Sequence, residues 1–298
     1  MPPRRAVATL ARRRRLTAAA FLAPMLAVLA VVAVWPVLHT IWFAFTNAEL
    51  GGGPADFIGA RNFISLLADP QWWRSVANTL IFAALSVSVE AALGMVIALA
   101  LNRRFRGCGL VRAAVIVPWA VPTVVSAKLW AWMLNDVFGI VNAVLVGAGL
   151  LAKPVAWVAS PRTALVSVVL VDAWKTTPFV ALLLLAGLQM IPADLYEAAR
   201  MDGAGPGRIF LAVTLPLLRP ALLVALIFRT LDALRVFDVI YVMAGDNPAS
   251  MSMSVFARQQ LVEFQDVGYG SAAATLLFVL VAIVTVIYVR AGGLWQEA

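Results

Sequence analysis

The sequence predicts an all-α polytopic membrane protein with six transmembrane helices, both termini in the cytoplasm, and a cytoplasmic elbow between helices 4 and 5. Of the 298 residues, 63% are hydrophobic and only 13% are charged, whereas soluble domains are about 45–50% apolar and about 25% charged. The apolar residues also gather in runs of about 20 or more, the length that a helix needs to cross a bilayer. This composition, with Cys108 as the only cysteine, excludes a soluble globule, a disordered chain and a disulfide scaffold.

Six apolar runs are long enough to be transmembrane helices, which lipid requires because it offers no hydrogen-bond partner to an open backbone. Arginines precede the first run, as in a signal peptide. However, residues 16–48 contain no Asp, Glu, Lys or Arg, and this stretch is far longer than the about 7–15 apolar residues of a signal peptide. We therefore expect an uncleaved first span. The predicted spans are residues 18–44, 76–101, 113–134, 165–190, 221–243 and 271–288.

The basic residues set the predicted orientation. Short loops rich in Lys and Arg stay in the cytoplasm, and most basic residues outside the spans lie in the N-terminus, the second and fourth loops and the C-terminus. We therefore divide the chain into a basic cytoplasmic tail (1–15), a transmembrane domain (16–290) and a cytoplasmic tail (291–298). The arginines are expected to contact membrane lipid and not nucleic acid, since no aromatic residues interleave with them as a base-stacking surface requires.

Two prolines mark the third span, in the sequence Val117-Pro-Trp-Ala-Val-Pro122. A proline inside a helix removes a backbone donor, and its ring clashes with the preceding turn. Pro118 and Pro122 therefore predict a kink in this span.

The fourth loop, residues 191–219, is predicted to form two short helices around a turn. Pro192 suits the first turn of one helix, Pro206 can open the next, and Asp202 can cap it. Apolar side chains such as Phe210 would suit a groove on another protein. The alternative is a surface loop that only connects two spans. The residues expected to adopt positive φ at the turn are Gly203 and Gly205.

The same loop contains a recognisable spacing. It has Glu197-Ala-Ala, three residues, Gly203, nine residues, and Val213-Thr-Leu-Pro216. This spacing resembles the signature of the membrane subunits of binding-protein-dependent ABC importers, with Val213 in place of the usual Ile. The resemblance implies that the elbow is a coupling helix that contacts a cytoplasmic ATPase. The residues it assigns to coupling are Glu197, Ala198, Ala199, Asp202, Gly203, Pro206, Phe210, Leu215 and Pro216.

Further stretches resemble permeases of the maltose, trehalose and glycerol-phosphate importers, most of all the first permease of actinobacterial trehalose importers. Those stretches are Phe21-Leu-Ala-Pro24, Asn78-Thr-Leu-Ile-Phe82, Trp174-Lys-Thr-Thr-Pro178-Phe179 and Arg235-Val-Phe-Asp-Val-Ile-Tyr241.

The resemblance implies a multi-pass subunit of the bacterial plasma (inner) membrane. It would form half of the pathway for a disaccharide such as trehalose or maltose. The implied partners are a second related permease, two cytoplasmic ABC ATPase subunits that hold ATP and Mg, and an extracytoplasmic sugar-binding protein. The chain itself contains no G-x-x-x-x-G-K-[ST] sequence, so we expect neither a cofactor nor an ATPase site of its own.

The fifth predicted span contains four charged residues spaced three apart: Arg229, Asp232, Arg235 and Asp238. Each step of three turns the direction by about 60°, so Arg229 and Asp238 should point to opposite sides, and not all four should face one cavity. One interpretation is a self-neutralising ladder within the helix. The other, implied by the resemblance, is that this span lines the sugar site.

The resemblance assigns to the substrate pathway Thr176, Phe179, Arg229, Asp232, Ala233 and Val236. The alignment leaves open which of Asp232, Ala233 and Val236 contacts ligand. Phe179 or Trp174 offers an aromatic surface for a sugar ring. We also expect Asp172 to pair with Lys175 three residues on, and Glu90 to find its partner on another helix.

Three alternatives compete with a disaccharide importer. The first is the same importer family carrying glycerol phosphate or another solute. A stand-alone secondary transporter is less favoured because the two halves of the chain show no repeat. A membrane enzyme is poorly supported because His39 is the only histidine and no metal cluster or nucleophile motif is present.

Overall fold

The computed structural model describes residues 4–103 and 105–291. The predicted C-terminal tail, 291–298, lies outside the described residues apart from its first. Within the described ranges the chain is helical, and two isolated bridges, Thr46 with Phe57 and Glu49 with Asp266, are the only strand-like pairings. The helices are α1 (Arg4–Leu29), α2 (Trp35–Phe43), α3 (Arg61–Ala68), α4 (Pro70–Leu101), α5 (Cys108–Ala120), α6 (Thr123–Met133), α7 (Ile140–Gly147), α8 (Ala164–Gln189), α9 (Ala193–Met201), α10 (Pro206–Ile209), α11 (Leu215–Leu234), α12 (Asp238–Ala244), α13 (Met253–Arg258) and α14 (Val267–Ala291).

Five helical stretches are long and apolar enough to cross a membrane, and α5 with α6 makes a sixth if this bent pair counts as one span. The predicted all-α polytopic membrane fold is thereby confirmed. The first stretch continues from α1 into α2 through a π-helical turn at Ala30–Val34. The five stretches are Leu16–Phe43, Pro70–Leu101, Ala164–Gln189, Pro206–Leu234 and Val267–Tyr288.

The third span is bent by 90° between α5 and α6, which confirms the predicted kink. Val121 is extended, with φ −74° and ψ 133°, and Pro122 precedes the first residue of α6. A residue before proline is pushed out of the helical region by the proline ring. The helix therefore ends at Ala120 and starts again in a new direction.

The fifth span differs from the continuous helix predicted over 221–243, and that prediction is wrong. α11 ends at Leu234, and α12 begins at Asp238 after Phe237, whose φ of −135° and ψ of −67° are not helical. At its other end, α10 runs into α11 through a π-helical turn at Phe210–Thr214. The second arm of the predicted elbow is therefore the beginning of the fifth span.

α4 and α8 pack closely against each other at the centre of the described fold, and α11 lies against both. Gly94 permits this approach, because a Cβ atom there would lie 2.8 Å from Cγ1 of Val180. The first span contributes nothing to this centre, since no residue of its most apolar segment is buried within the chain. Its surface is left for lipid or another subunit.

Candidate functional site

A cavity of about 380 Å³ opens beside the centre, where α8 and the break between α11 and α12 face each other. Aromatic side chains contributed by several helices form part of its wall, and charged side chains form the rest. All six residues predicted for the substrate pathway line it, although their contact with a sugar stays a prediction. These are Thr176, Phe179, Arg229, Asp232, Ala233 and Val236.

All four charged residues of the fifth span line this one cavity: Arg229, Asp232, Arg235 and Asp238. The prediction that not all four could face one cavity is wrong, because it assumed an unbroken helix in which each residue turns the direction by 100°. Residues 235–237 leave the helical path, so the direction of Asp238 is set anew at the start of α12. Helical periodicity therefore missed Arg235 and Asp238 as cavity residues.

Arg229 is enclosed by three carboxylates from three helices, and we call Glu90, Asp172, Arg229 and Asp232 the Arg229 cluster. The Nε of Arg229 donates to Oε2 of Glu90, and Nη2 donates to Oε1 of Glu90 at 2.8 Å and to Oδ2 of Asp172 at 3.0 Å. Nη1 donates to Oδ2 of Asp232 at 2.5 Å. These bonds use four of the five guanidinium N–H groups, so Arg229 has little left to offer a ligand.

Two hydroxyl groups complete the buried side of the cluster. Oγ of Ser86 lies 2.7 Å from carboxylate oxygens of both Glu90 and Asp172. Oγ1 of Thr176 lies 2.6 Å from Oε1 of Glu90 and 2.6 Å from the carbonyl oxygen of Asp172. The Thr176 hydroxyl is therefore engaged within the protein, while its side chain borders the cavity.

The cluster settles three predictions about charge pairing. Glu90 finds its partner on another helix, as expected. Asp172 forms its ion pair with Arg229, so the prediction that Asp172 pairs with Lys175 is wrong. A buried carboxylate pairs with a cation that reaches it inside the fold, and here that cation comes from another helix. Only the Arg229 to Asp232 pair of the predicted ladder forms among the described residues.

The cluster has a buried end and an open end. The Glu90 side chain is 0% exposed and that of Arg229 is 4% exposed, whereas that of Asp232 is 67% exposed. A carboxylate held by a guanidinium on one side and open to the cavity on the other can accept hydrogen bonds from a polar ligand. Asp232 is thus the part of the cluster placed to do so.

The aromatic wall is built around Phe179, whose ring stacks against Trp119 with centroids 6.1 Å apart and planes 24° apart. Both residues line the cavity. Trp174 instead packs edge-on against Trp130 at 5.4 Å and is not among the lining residues. Of the two aromatic residues predicted for a sugar ring, only Phe179 is in place.

The predicted elbow is present as α9, a turn and α10. Gly203 has φ +73° and follows the end of α9, and α10 begins at Pro206, as expected. Gly205 has φ −71° and does not adopt the predicted left-handed conformation, because it lies in extended backbone before α10. Asp202 ends α9 and gives α10 no side-chain cap, so that prediction is also wrong.

Most of the predicted coupling residues lie on the protein surface. Those exposed are Glu197, Ala198, Asp202, Gly203, Pro206 and Pro216, and those partly buried are Ala199, Phe210 and Leu215. Oγ1 of Thr214 lies 3.3 Å from the hydroxyl of Tyr196, which ties the two arms together. The elbow is therefore a shaped, accessible surface, and its contact with an ATPase stays a prediction.

Comparison with known proteins gives relatives that match along nearly the whole chain. It is 45% identical over 271 residues to the trehalose/maltose transport system permease protein MalF of Thermococcus litoralis, covering 90% of this chain and 91% of that protein. It is 39% identical to the sulfoquinovosyl glycerol transport system permease protein SmoG of Agrobacterium fabrum, covering 93% and 90%. It is 38% identical to the trehalose transport system permease protein SugA of Mycobacterium tuberculosis, covering 91% and 87%.

The fold also matches a solved transporter. A chain of the bacterial alginate ABC transporter, crystallised in complex with an alginate pentasaccharide-bound periplasmic protein, superposes with a TM-score of 0.83 over 96% of this chain and 97% of that one, at 21% identity. Residues 90–291 match the protein family described as the binding-protein-dependent transport system inner membrane component. The chain therefore belongs to this family of inner-membrane transport components.

Proposed function

We propose that this chain is one permease subunit of an ATP-driven importer for a neutral disaccharide such as trehalose or maltose. The observation that carries the proposal is the cavity, in which open charged groups stand beside the Trp119 and Phe179 pair. Aromatic faces pack on the apolar faces of sugar rings, and a few polar groups fix their hydroxyls. The relatives named for trehalose and maltose transport support the same cargo.

The charges around the cavity favour a neutral cargo over an anionic one. The charged side chains that line it are Asp172, Asp232 and Asp238 on the acidic side and Lys175, Arg229 and Arg235 on the basic side, so the lining carries no net positive charge. Arg229 is held by three carboxylates and cannot offer its fork to a phosphate, and the open Arg235 shares the cavity with the open carboxylates of Asp232 and Asp238, which repel an anion. Transport of glycerol phosphate or another anionic solute is the second candidate. The relative that favours it is SmoG, which is named for transport of sulfoquinovosyl glycerol, a solute with an anionic sulfonate group.

The proposal extends to the partners and their arrangement. The N-terminus, the C-terminus and the elbow face the cytoplasm, and two ABC ATPase subunits bind ATP and Mg and receive the elbow through Glu197 and Gly203. A second, related permease completes the pathway, and a sugar-binding protein delivers the cargo from outside. The family's description as a binding-protein-dependent transport system component supports the binding protein as a partner.

The helix geometry explains how the elbow can act on the cavity. Residues from Pro206 to Leu234 form one helical stretch, so the second arm of the elbow and the cavity residues Arg229 and Asp232 belong to the same continuous helix. At 1.5 Å per residue the distance from Pro206 to Arg229 is about 35 Å. Closure of the ATPases would move this helix as a unit and change which side the cavity faces.

The test is uptake of labelled trehalose, maltose, longer glucans and glycerol phosphate in cells with and without the gene for this chain. We expect uptake of trehalose and maltose to fall, one more than the other, while uptake of longer glucans and glycerol phosphate is unaffected. Loss of glycerol phosphate uptake alone, with every sugar unaffected, would contradict the neutral cargo and support the second candidate.

A further inference from the structure

The break in the fifth span gives the cavity two charged side chains that lie outside the Arg229 cluster. α11 ends at Leu234 and α12 starts at Asp238. In a continuous helix the side chains of residues 229 and 238 would be about 180° apart. With the break, both Arg235 and Asp238 line the same cavity as Arg229.

Buried contacts hold this break in place. Oγ of Ser252, which is 0% exposed, donates to the carbonyl oxygen of Val236 at 2.8 Å and so satisfies a backbone group that the helix has released. The same hydroxyl accepts the backbone N–H of Val255 at 3.2 Å and caps α13. The ring of Phe237 stacks on Tyr241 at 5.3 Å. The backbone break that brings both Arg235 and Asp238 to the cavity is therefore held by buried contacts.

Unlike Arg229, these two side chains keep most of their hydrogen-bonding groups open. Both are exposed. Nε of Arg235 donates to the carbonyl oxygen of Leu231 at 3.1 Å, which leaves its four Nη hydrogens without a partner in the described part of the chain. The carboxylate of Asp238 likewise has no hydrogen bond or ion pair to any described residue. One residue offers donors, the other offers acceptors, and together they are neutral.

We propose that Arg235 and Asp238 contact the transported sugar and determine which disaccharide the permease passes. The inference rests on the proposed function. Trehalose and maltose have the same composition and differ in the glycosidic linkage, so their hydroxyls point in different directions. A site built to hydrogen-bond a hydroxyl discriminates strongly against a ligand that leaves its polar groups unpaired, and charge-assisted bonds are about twice as strong as neutral ones.

The experiment compares initial uptake rates of labelled trehalose and maltose by the complete transporter, with its own binding protein saturated by each sugar. The variants are Asp238→Asn and Arg235→Gln. The matched control is Thr230→Val on the same helix, whose hydroxyl lies 2.9 Å from that of Tyr288 and is not among the groups lining the cavity. Because every variant uses the same binding protein, its own preference cancels when each trehalose to maltose ratio is divided by that of the wild type.

We expect the ratio to change by at least about ten-fold in both cavity variants, the effect of one lost hydrogen bond to a charged group, and to stay unchanged in the control. Protein in the membrane is measured for each variant, and Asp238→Glu, which keeps the charge and moves it, replaces Asp238→Asn if that variant is not inserted. Unchanged ratios, or equal loss of both sugars, would overturn the inference. A wild type that transports neither disaccharide would instead refute the proposed function, and the inference with it.

Discussion

Replacement of Arg229 by methionine gives the sharpest test of the Arg229 cluster. Methionine approximates the length of the arginine stem but removes the charge that holds three carboxylates, two of which, those of Glu90 and Asp172, are buried. Removing one partner of a buried ion pair costs about 3–5 kcal/mol, because the remaining charge is left without compensation in a low dielectric. Since Arg229→Met strands two such charges, we expect the free energy of unfolding to fall by an amount near the upper end of that range.

Two companion variants separate the charge from its geometry. Arg229→Lys keeps the positive charge but offers three donors on one nitrogen, which cannot match the fork that reaches three carboxylates. We expect it to lose an intermediate amount of stability. Arg235→Met is the matched control on the same helix, because Arg235 is exposed and forms no ion pair with a described residue. Its stability should change by no more than about 0.5 kcal/mol.

The assay is denaturant-induced unfolding of the purified protein in detergent micelles, followed by the fluorescence of its tryptophans, of which the buried Trp72 lies in the core. The midpoints and slopes for the four proteins are compared under one detergent condition. If Arg229→Met unfolds with the same free energy as Arg235→Met, the buried cluster does not stabilise the fold and the reasoning is wrong.

Three more predictions concern the elbow and the helix packing. Gly203→Ala should greatly reduce sugar uptake while the binding protein keeps its affinity for sugar, because a side chain at φ +73° costs about 1–2 kcal/mol. Gly205→Ala is the control, because Gly205 has φ −71°. Equal uptake by the two variants would contradict a role for the left-handed turn at Gly203. Glu197→Lys should abolish uptake and ATPase stimulation without lowering the amount of protein in the membrane; normal uptake would exclude a coupling role. Gly94→Leu should destabilise the fold by about 1–3 kcal/mol, since even its Cβ would lie 2.8 Å from a side chain of α8. Gly147→Leu, with open space around its Cβ, should leave the unfolding midpoint unchanged, and a Gly94→Leu protein as stable as this control would disprove close packing there.

Features that depend on length, hydrophobicity and proline were predictable from the sequence. The spans follow from apolar runs, and the bend of the third span follows from Pro122, because both causes act within a few residues. The break in the fifth span was not predictable in this way. Arg235, Val236 and Phe237 include no proline or glycine, and the contact that satisfies the broken backbone comes from Ser252, on another segment.

The candidate site shows the same division between local and distant causes. The resemblance pointed to six residues, and the structure gathers all of them around one cavity. The pairing of Asp172 was predicted from a neighbour three residues away, whereas its partner Arg229 is 57 residues away. Local spacing identifies which charges lie inside the spans, but the packing of α4, α8 and α11 decides which of them meet.

The Arg229 cluster also has a consequence for how the permease can move. One guanidinium is shared by α4, α8 and α11, so none of these helices can slide or rotate against the others without separating charges in a low dielectric. If the cavity opens alternately to the two sides of the membrane, this trio must travel as one rigid body. Relative motion is then confined to elements that share no buried charge with it. The unburied first span and the third span, whose 90° bend lies beside the cavity at Trp119 and Thr123, are such elements, which leaves the hinges of the transport cycle outside the trio.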